Sequence, residues 1–136
     1  MSDTLRQLVY ISSGEHPFSE LELSNMLASM RKNNEEIGVT GMLLYKDGDF
    51  IQVIEGEEDV LYPLFDVICH DHRHYSIVEL MRKSITKRQF SNWSMGFHHI
   101  NNDDPRLAGF NRFFSDDANH QIDPGEALNL LLVFRE

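Results

Sequence analysis

The sequence predicts an α+β fold of the ferredoxin-like type: one sheet with two helices on one face, followed by a short C-terminal helical extension. The order of the segments predicts this fold. Stretches with the two-residue alternation of strands and stretches with the periodicity of helices follow one another as β-α-β-β-α-β-β. The chain has 136 residues, of which 41% are hydrophobic and 10% aromatic, and this composition suits one globular domain with a sizeable core.

The first strand and the first helix are marked by alternation and by a capping motif. Residues 7–12 alternate as expected for a strand rich in β-branched and aromatic side chains. Ser19 and Glu22 have the spacing of a capping box, so a helix should begin there and continue to about Asn34. Gly38 is expected to end this region.

A hairpin and a second helix follow. Residues 39–46 and 49–55 are predicted strands, joined by Asp47-Gly48, a dipeptide typical of tight hairpin turns. The acidic residues at positions 57–59 suit the positive end of a helix dipole. We therefore expect a helix from there to about His70.

Two more strands and the extension complete the chain. Residues 77–86 and 92–99 are predicted to be strands. We assign residues 1–102 to one domain and residues 103–136 to the extension. Each of the two Asp-Pro pairs in the extension is expected to start a short helix. The apolar side chains of the extension should either cover the open sheet face or form a contact between copies of the chain.

Charge and composition exclude several classes of protein. Acidic residues outnumber basic ones 22 to 12, for a formal charge of −10, so direct binding to nucleic acid is not expected. Cys69 is the single cysteine, which excludes an intramolecular disulfide. No apolar stretch has membrane-spanning length and no secretory signal is visible, so we expect a cytoplasmic protein that does not bind membranes.

Several polar or aromatic side chains fall where the periodicity predicts burial. Tyr10 lies mid-strand, Asn34 continues the apolar stripe of the first helix, and Gln52 lies between apolar residues on one face of its strand. Trp93 and Met95 should share a face of the fifth strand. A buried amide needs hydrogen-bond partners, so this set suggests a polar ligand on the helix-covered side. Any one of these residues alone is more often a core residue bonded to the backbone.

The same residues belong to motifs of a known family. The motifs are LVYIS around Tyr10, RKNNEEIGVTGMLLY from Arg31 to Tyr45, DFIQVIEG from Asp49 to Gly56, DHRHYS from Asp71 to Ser76, and FSNWSMGF from Phe90 to Phe97. Over roughly residues 5–100 the chain resembles the BLUF family, sensors of blue light using flavin. The extension matches no motif of that family.

The resemblance implies a cofactor, a set of site residues and a mechanism. The cofactor would be non-covalent FAD, with FMN or riboflavin possible, held by Tyr10, Asn33, Asn34, Ile37, Gln52, Arg73 and His74. The photoactive switch would be Tyr10, Gln52, Trp93 and Met95. After excitation, Tyr10 would give the flavin an electron and then a proton by way of Gln52, whose side-chain amide would settle in a new arrangement. No net reaction occurs, so the chain would not be an enzyme.

The chain contains no output domain that the sequence reveals. We expect the chain to signal to a separate downstream protein, and we expect a homo-oligomer. The alternative is a non-photochemical ferredoxin-like module that binds a ligand or a protein. Cys69 has no motif of a flavin-adduct photoreceptor and is expected to be a buried structural thiol. The alternating His70, His72 and His74 are not expected to bind a metal.

Overall fold

A computed structural model of the chain describes residues 4–14, 17–70, 74–91, 94–114 and 124–134. The elements in these residues are β1 (Leu5–Gly14), α1 (Glu20–Ile37), β2 (Thr40–Lys46), β3 (Asp49–Glu57), α2 (Glu58–Cys69), β4 (His74–Ser84), β5 (Gly96–His99), α3 (Leu107–Asn111) and α4 (Pro124–Phe134). The strands form one sheet in the order β4-β1-β3-β2-β5. The predicted ferredoxin-like α+β fold is confirmed.

The sheet register places the polar core residues side by side. β1 lies between β3 and β4 and is antiparallel to both, and β2 and β3 form the predicted antiparallel hairpin. Asp47 and Gly48 both have positive φ at its turn, of 49° and 94°. Tyr10 of β1 pairs directly with Gln52 of β3, so their side chains leave the same face of the sheet.

The ends of α1 follow from local chemistry. The Ser19 hydroxyl accepts from the backbone N–H of Glu22, whose carboxylate accepts from the N–H of Ser19, which is the predicted capping box. Gly38 ends the helix with φ 72°, a left-handed conformation that glycine adopts without strain. The helix continues to Ile37, beyond the predicted end at Asn34, because the cap and not the apolar stripe decides where it stops.

The fifth strand differs from the prediction. β5 begins at Gly96 and not at residue 92, and it pairs with β2 in parallel, starting at Met42 opposite Gly96. Met95 therefore precedes the strand, and the prediction that it lies on a strand face is wrong. The physical reason is that the Met95 carbonyl accepts a hydrogen bond from a side chain of α1, outside the ladder with β2.

Each face of the sheet has its own hydrophobic core. α1 and α2 cover the first face, where Leu8, Leu27, Ile54, Leu61 and Phe65 are buried. α3 and α4 cover the second face, and there the buried side chains include Val53, Phe90, Phe110, Phe113 and Leu131. The apolar residues of the extension thus complete the core of their own chain.

The start of α3 also differs slightly from the prediction. The first Asp-Pro pair of the extension precedes α3 by a turn and does not cap it directly. The Asp104 carboxylate accepts from the backbone N–H of Arg106 at 2.8 Å and from its guanidinium at 3.0 Å, which holds a turn just before Leu107. Asp123 lies outside the described residues, but α4 does begin at Pro124, as the second pair predicts.

Candidate functional site

A cleft opens on the first face of the sheet, between α1 and α2 and above β1 and β3. It encloses about 830 Å³, including the part open to solvent. Its lining residues are Tyr10, Ser12, Phe18, Met26, Met30, Asn33, Asn34, Leu43, Phe50, Gln52, Ile54, Leu64, Val67 and Ile68. Most of these side chains are apolar or aromatic, with a few polar groups among them, as is usual for sites that bind organic ligands.

The floor of the cleft has a hydrogen-bonded phenol and amide. The Tyr10 hydroxyl donates to Gln52 Oε1, and these side chains are only 3% and 2% exposed. On its other side, Gln52 Nε2 donates to the Met95 sulfur at 3.3 Å. The two ends of the Gln52 amide are therefore engaged by different partners, one that donates a hydrogen bond and one that accepts.

The α1 wall supplies two more amides. Asn34 is 5% exposed, and its Nδ2 donates to the backbone carbonyl of Ser94 at 2.7 Å. A side-chain amide has two N–H donors and an acceptor oxygen, so this bond leaves Asn34 with capacity for a ligand. Asn33 lies one residue earlier, also lines the cleft, and is exposed at its rim.

Aromatic rings close the cleft near the end of β1. The Phe18 and Phe50 rings are 5.5 Å apart, and Phe50 packs on Tyr45 at 4.9 Å. The Tyr45 hydroxyl accepts from the backbone N–H of Phe18 at 2.8 Å, which ties the segment before α1 to the sheet. These contacts give the cleft a rigid apolar end.

The structure places the predicted site residues unequally. Tyr10, Asn33, Asn34 and Gln52 meet in the cleft, and buried Met95 touches Gln52. Ile37 lies at the end of α1, 41% exposed, and is not among the lining residues, so its contact with a ring stays a prediction.

Three other predicted site residues cannot be placed in the cleft. Arg73 and Trp93 lie outside the described residues, and of His74 only the backbone, at the start of β4, is described.

Sequence reasoning missed part of the wall. Met26 and Met30 were not among the predicted site residues, but they precede the predicted Asn33 by seven and three residues, which puts them on its side of α1. That spacing from Asn33 was visible in the sequence. Phe18 and Val67 had no comparable signal, because only the packing of their elements brings them to the cleft.

A family model matches the chain over residues 5–96, and its description is "Sensors of blue-light using FAD". The chain belongs to the BLUF family. The match contains β1 to β4 and the whole cleft lining, so the BLUF chain is a flavin-binding sensor of blue light. The sensor domain is not itself an enzyme, and nothing supports the alternative of a non-photochemical module.

Curated relatives carry the same BLUF segment within longer proteins. The subunit beta of a photoactivated adenylate cyclase from Euglena longa is 34% identical over 93 residues, which are 68% of this chain and 11% of that protein. The blue light- and temperature-regulated antirepressor BluF of Escherichia coli K12 is 33% identical over 93 residues, which are 67% of this chain and 23% of that protein. The chain thus spans between a tenth and a quarter of these relatives.

Solved BLUF structures match over nearly the whole chain. The dark-state structure of BlrB, a BLUF protein, has a TM-score of 0.75 and 26% identity, and the match covers 98% of this chain and 99% of that one. The photo-activated state of BlsA has a TM-score of 0.74 and 29% identity, with 95% of each chain covered.

The lining of the cleft fits the flavin of a BLUF protein. A flavin ring is a flat apolar plate with one polar edge that has both donors and acceptors. The apolar walls suit the plate, and the amides of Asn33, Asn34 and Gln52 can serve the polar edge because each offers a donor and an acceptor.

Cys69 is exposed, so the prediction of a buried structural thiol is wrong. It is the last residue of α2, one turn beyond Phe65, which is the last buried residue of that helix. Desolvation raises the pKa of the thiol, and the Asp66 and Glu79 carboxylates raise it further, so the reactive thiolate is disfavoured.

The described part of the chain contains no group of three or more side chains that could hold a metal ion, but His72 and the side chain of His74 are outside it. No helix among the described residues is long and apolar enough to cross a membrane. A cytoplasmic location stays a prediction.

Proposed function

We propose that the chain senses blue light through a hydrogen-bond switch made of Tyr10 and Gln52, with the flavin held in the cleft between α1 and α2. The observation that carries the proposal is the buried phenol–amide bond on the cleft floor, with the far end of the same amide on the Met95 sulfur. A switch needs a group that can hold two hydrogen-bond patterns, and a glutamine amide is such a group.

The proposed cofactor is FAD. FMN or riboflavin could substitute, because the proposed contacts are with the flavin ring, which all three share. Asn33 and Asn34 would hold its polar edge from α1, while Tyr10 and Gln52 contact it from the floor. Ile37, Arg73 and His74 complete the proposed binding set by resemblance to the family. When bound, the flavin supplies the absorption of blue light and a transient acceptor for one electron and one proton.

The role of Tyr10 follows from its hydrogen bond. Its phenol donates to Gln52 Oε1, so the route for a proton leaving Tyr10 begins at the Gln52 amide. The phenol is 3% exposed, which keeps water from competing for that proton. Tyr10 is thus the proposed donor, and Gln52 passes the proton on and back.

The role of Gln52 follows from the asymmetry of its two partners. In the described arrangement Oε1 faces a phenol that donates and Nε2 faces a sulfur that accepts. Rotation of the amide would turn Oε1 toward Met95, and a thioether has no proton to give. Met95 therefore favours the described orientation, and any light-driven rotation or tautomerisation of Gln52 breaks its contact.

The proposed output is a change in the segment around Met95 and β5, passed to a separate downstream protein. Met95 precedes β5 directly, and Trp93 is proposed to take part in the same rearrangement. Some relatives carry the sensor segment in cyclase or antirepressor proteins. For this chain, a separate downstream partner and self-association are both part of the proposal.

The test compares Tyr10→Phe and Gln52→Leu with the unchanged protein. All three should purify yellow, and FAD should be the main flavin released on denaturation. Only the unchanged protein should show a reversible red shift of the flavin absorption after blue light, because each variant removes one member of the hydrogen-bonded pair.

The matched control is Tyr45→Phe. It deletes the hydroxyl of another buried tyrosine, 1% exposed, that packs on Phe50 beside the cleft. This variant should keep the red shift. A normal light response in Tyr10→Phe or Gln52→Leu would refute the assigned roles, and a colourless wild-type protein after reconstitution with FAD would refute flavin binding in this cleft.

A further inference from the structure

Two side chains of α1 donate hydrogen bonds to consecutive backbone carbonyls just before β5. Arg31 Nε donates to the Met95 carbonyl at 2.9 Å, and Asn34 Nδ2 donates to the Ser94 carbonyl at 2.7 Å. Arg31 and Asn34 are three residues apart in α1 and so lie on one side of it. Asn34 belongs to the cleft, whereas Arg31 has no place in the proposed site.

The two carbonyls lie just outside the sheet. The parallel ladder between β2 and β5 begins with Met42 opposite Gly96, so Ser94 and Met95 lie before the first ladder pair. Both carbonyls accept from side chains of α1, and both lie outside that ladder. The backbone around Met95 is thus attached to the helix that lines the cleft.

Met95, whose carbonyl Arg31 binds, is also the residue that contacts Gln52 of the proposed switch. The Met95 sulfur accepts from Gln52 Nε2 at 3.3 Å, a weak bond whose formation depends on where the Met95 backbone is held. An arginine donor makes a stronger hydrogen bond to a carbonyl than a neutral amide does, because the donor is charged. The hydrogen bond from Arg31 to the Met95 carbonyl can therefore hold the Met95 sulfur next to Gln52.

We propose that Arg31 is a positioning residue that sets the lifetime of the lit state, an inference that rests on the switch of Tyr10 and Gln52. By holding the Met95 backbone, Arg31 keeps the sulfur where it accepts from Gln52 Nε2. That contact favours the dark orientation of the amide. Without Arg31 the dark orientation loses part of its advantage, so the return from the lit state slows.

The experiment measures dark recovery of the absorption shift in Arg31→Ala, Arg31→Gln and Lys32→Ala. Arg31→Ala should keep the flavin and the full red shift. Its dark recovery should be roughly three- to tenfold slower, which is the change in rate expected from the loss of one hydrogen bond. Arg31→Gln keeps a shorter donor and should lie between Arg31→Ala and the wild type. Lys32→Ala removes the same charge from the next residue and should recover like the wild type.

A double-mutant cycle separates positioning from a general effect on structure. In a Met95→Ala background the sulfur is absent, so adding Arg31→Ala should change the recovery rate no further. Equal recovery rates in wild type and Arg31→Ala, or an undiminished effect of Arg31→Ala in the Met95→Ala background, would overturn the proposal. If Arg31→Ala does not hold flavin, Arg31→Gln serves for the same cycle.

The two proposals fail in different ways. A wild-type protein without a red shift would overturn the Tyr10–Gln52 switch and the role of Arg31 with it. A normal red shift in all Arg31 variants with unchanged recovery would overturn the role of Arg31 alone.

Discussion

At the residue scale, one buried carboxylate holds the connection between β4 and β5. Glu55 is fully buried, and its carboxylate accepts from the backbone N–H groups of Gln89 at 3.0 Å and Phe90 at 2.9 Å. It also accepts from Gln7 Nε2 at 2.7 Å, and the same nitrogen donates to Gln89 Oε1. Gln7 Oε1 is left buried without a partner among the described residues, because reversing the amide would set an oxygen against two acceptors.

Glu55→Ala should destabilise the protein by about 3 kcal/mol, since it removes a buried carboxylate that accepts from three N–H groups, two of which are left with no acceptor. Denaturant unfolding of the flavin-bound protein measures the change in the free energy of unfolding. Glu36→Ala, which removes an exposed carboxylate on α1, should change it by less than about 0.5 kcal/mol. Similar values for the two variants would contradict the role given to Glu55.

At the element scale, the hairpin of β2 and β3 requires a glycine at position 41 of β2. A Cβ on Gly41 would lie 2.1 Å from the Val53 carbonyl oxygen, a backbone atom that cannot move aside. Gly109 in α3 is a contrast, because the nearest atom to its Cβ would be Leu130 Cδ1 at 3.8 Å, an ordinary contact. The same substitution should therefore have opposite effects at these two positions.

Gly41→Ala should cost about 3 kcal/mol or more, or prevent folding, because the strands must separate. Gly109→Ala should be neutral or stabilise by up to about 1 kcal/mol, since alanine favours helix over glycine. Thermal unfolding followed by flavin release and by circular dichroism compares the two. A soluble Gly41→Ala protein with wild-type stability would show that β2 and β3 are not held as close as described.

At the scale of the whole molecule, the connection from β4 to β5 joins the two cores. Phe90 is buried with α3 and α4 on the second face, and Met95 is buried on the first face beside Gln52. β5 continues this division, because the His98 ring packs on Phe134 of α4 at 5.1 Å and His99 packs on Tyr45 at 5.2 Å. The two histidines thus face opposite sides of the sheet, as neighbouring residues of a strand do.

Light should therefore change the hydrogen exchange of β5 and α4 more than that of α2. In this arrangement a shift of Met95 reaches α4 through β5 by direct packing. Hydrogen exchange of dark and lit protein tests this route, and Gln52→Leu should show no light-dependent difference. Size measurements on the same samples test self-association, which stays a prediction although the apolar side chains that suggested it are buried in the chain's own core. A light response confined to α2 would rule out this route.

Local signals along the chain are enough to predict the fold class, most of the helices and strands, and the polar residues of the site. Alternation, the capping box at Ser19 and the turn at Asp47-Gly48 act over a few residues, so they can be read without tertiary contacts. Tyr10, Asn34 and Gln52 were visible as polar residues at positions of predicted burial.

The position of Met95 and the hydrogen bonds that hold it depend instead on long-range packing. Its segment alternates like a strand, but side chains of α1, about 60 residues earlier, take the carbonyls of Ser94 and Met95. Glu55 likewise carries a charge at a core position, and its partners at 89 and 90 are 34 and 35 residues away. No local pattern encodes such pairings, because their free energy depends on which distant groups the folded sheet brings within hydrogen-bond distance.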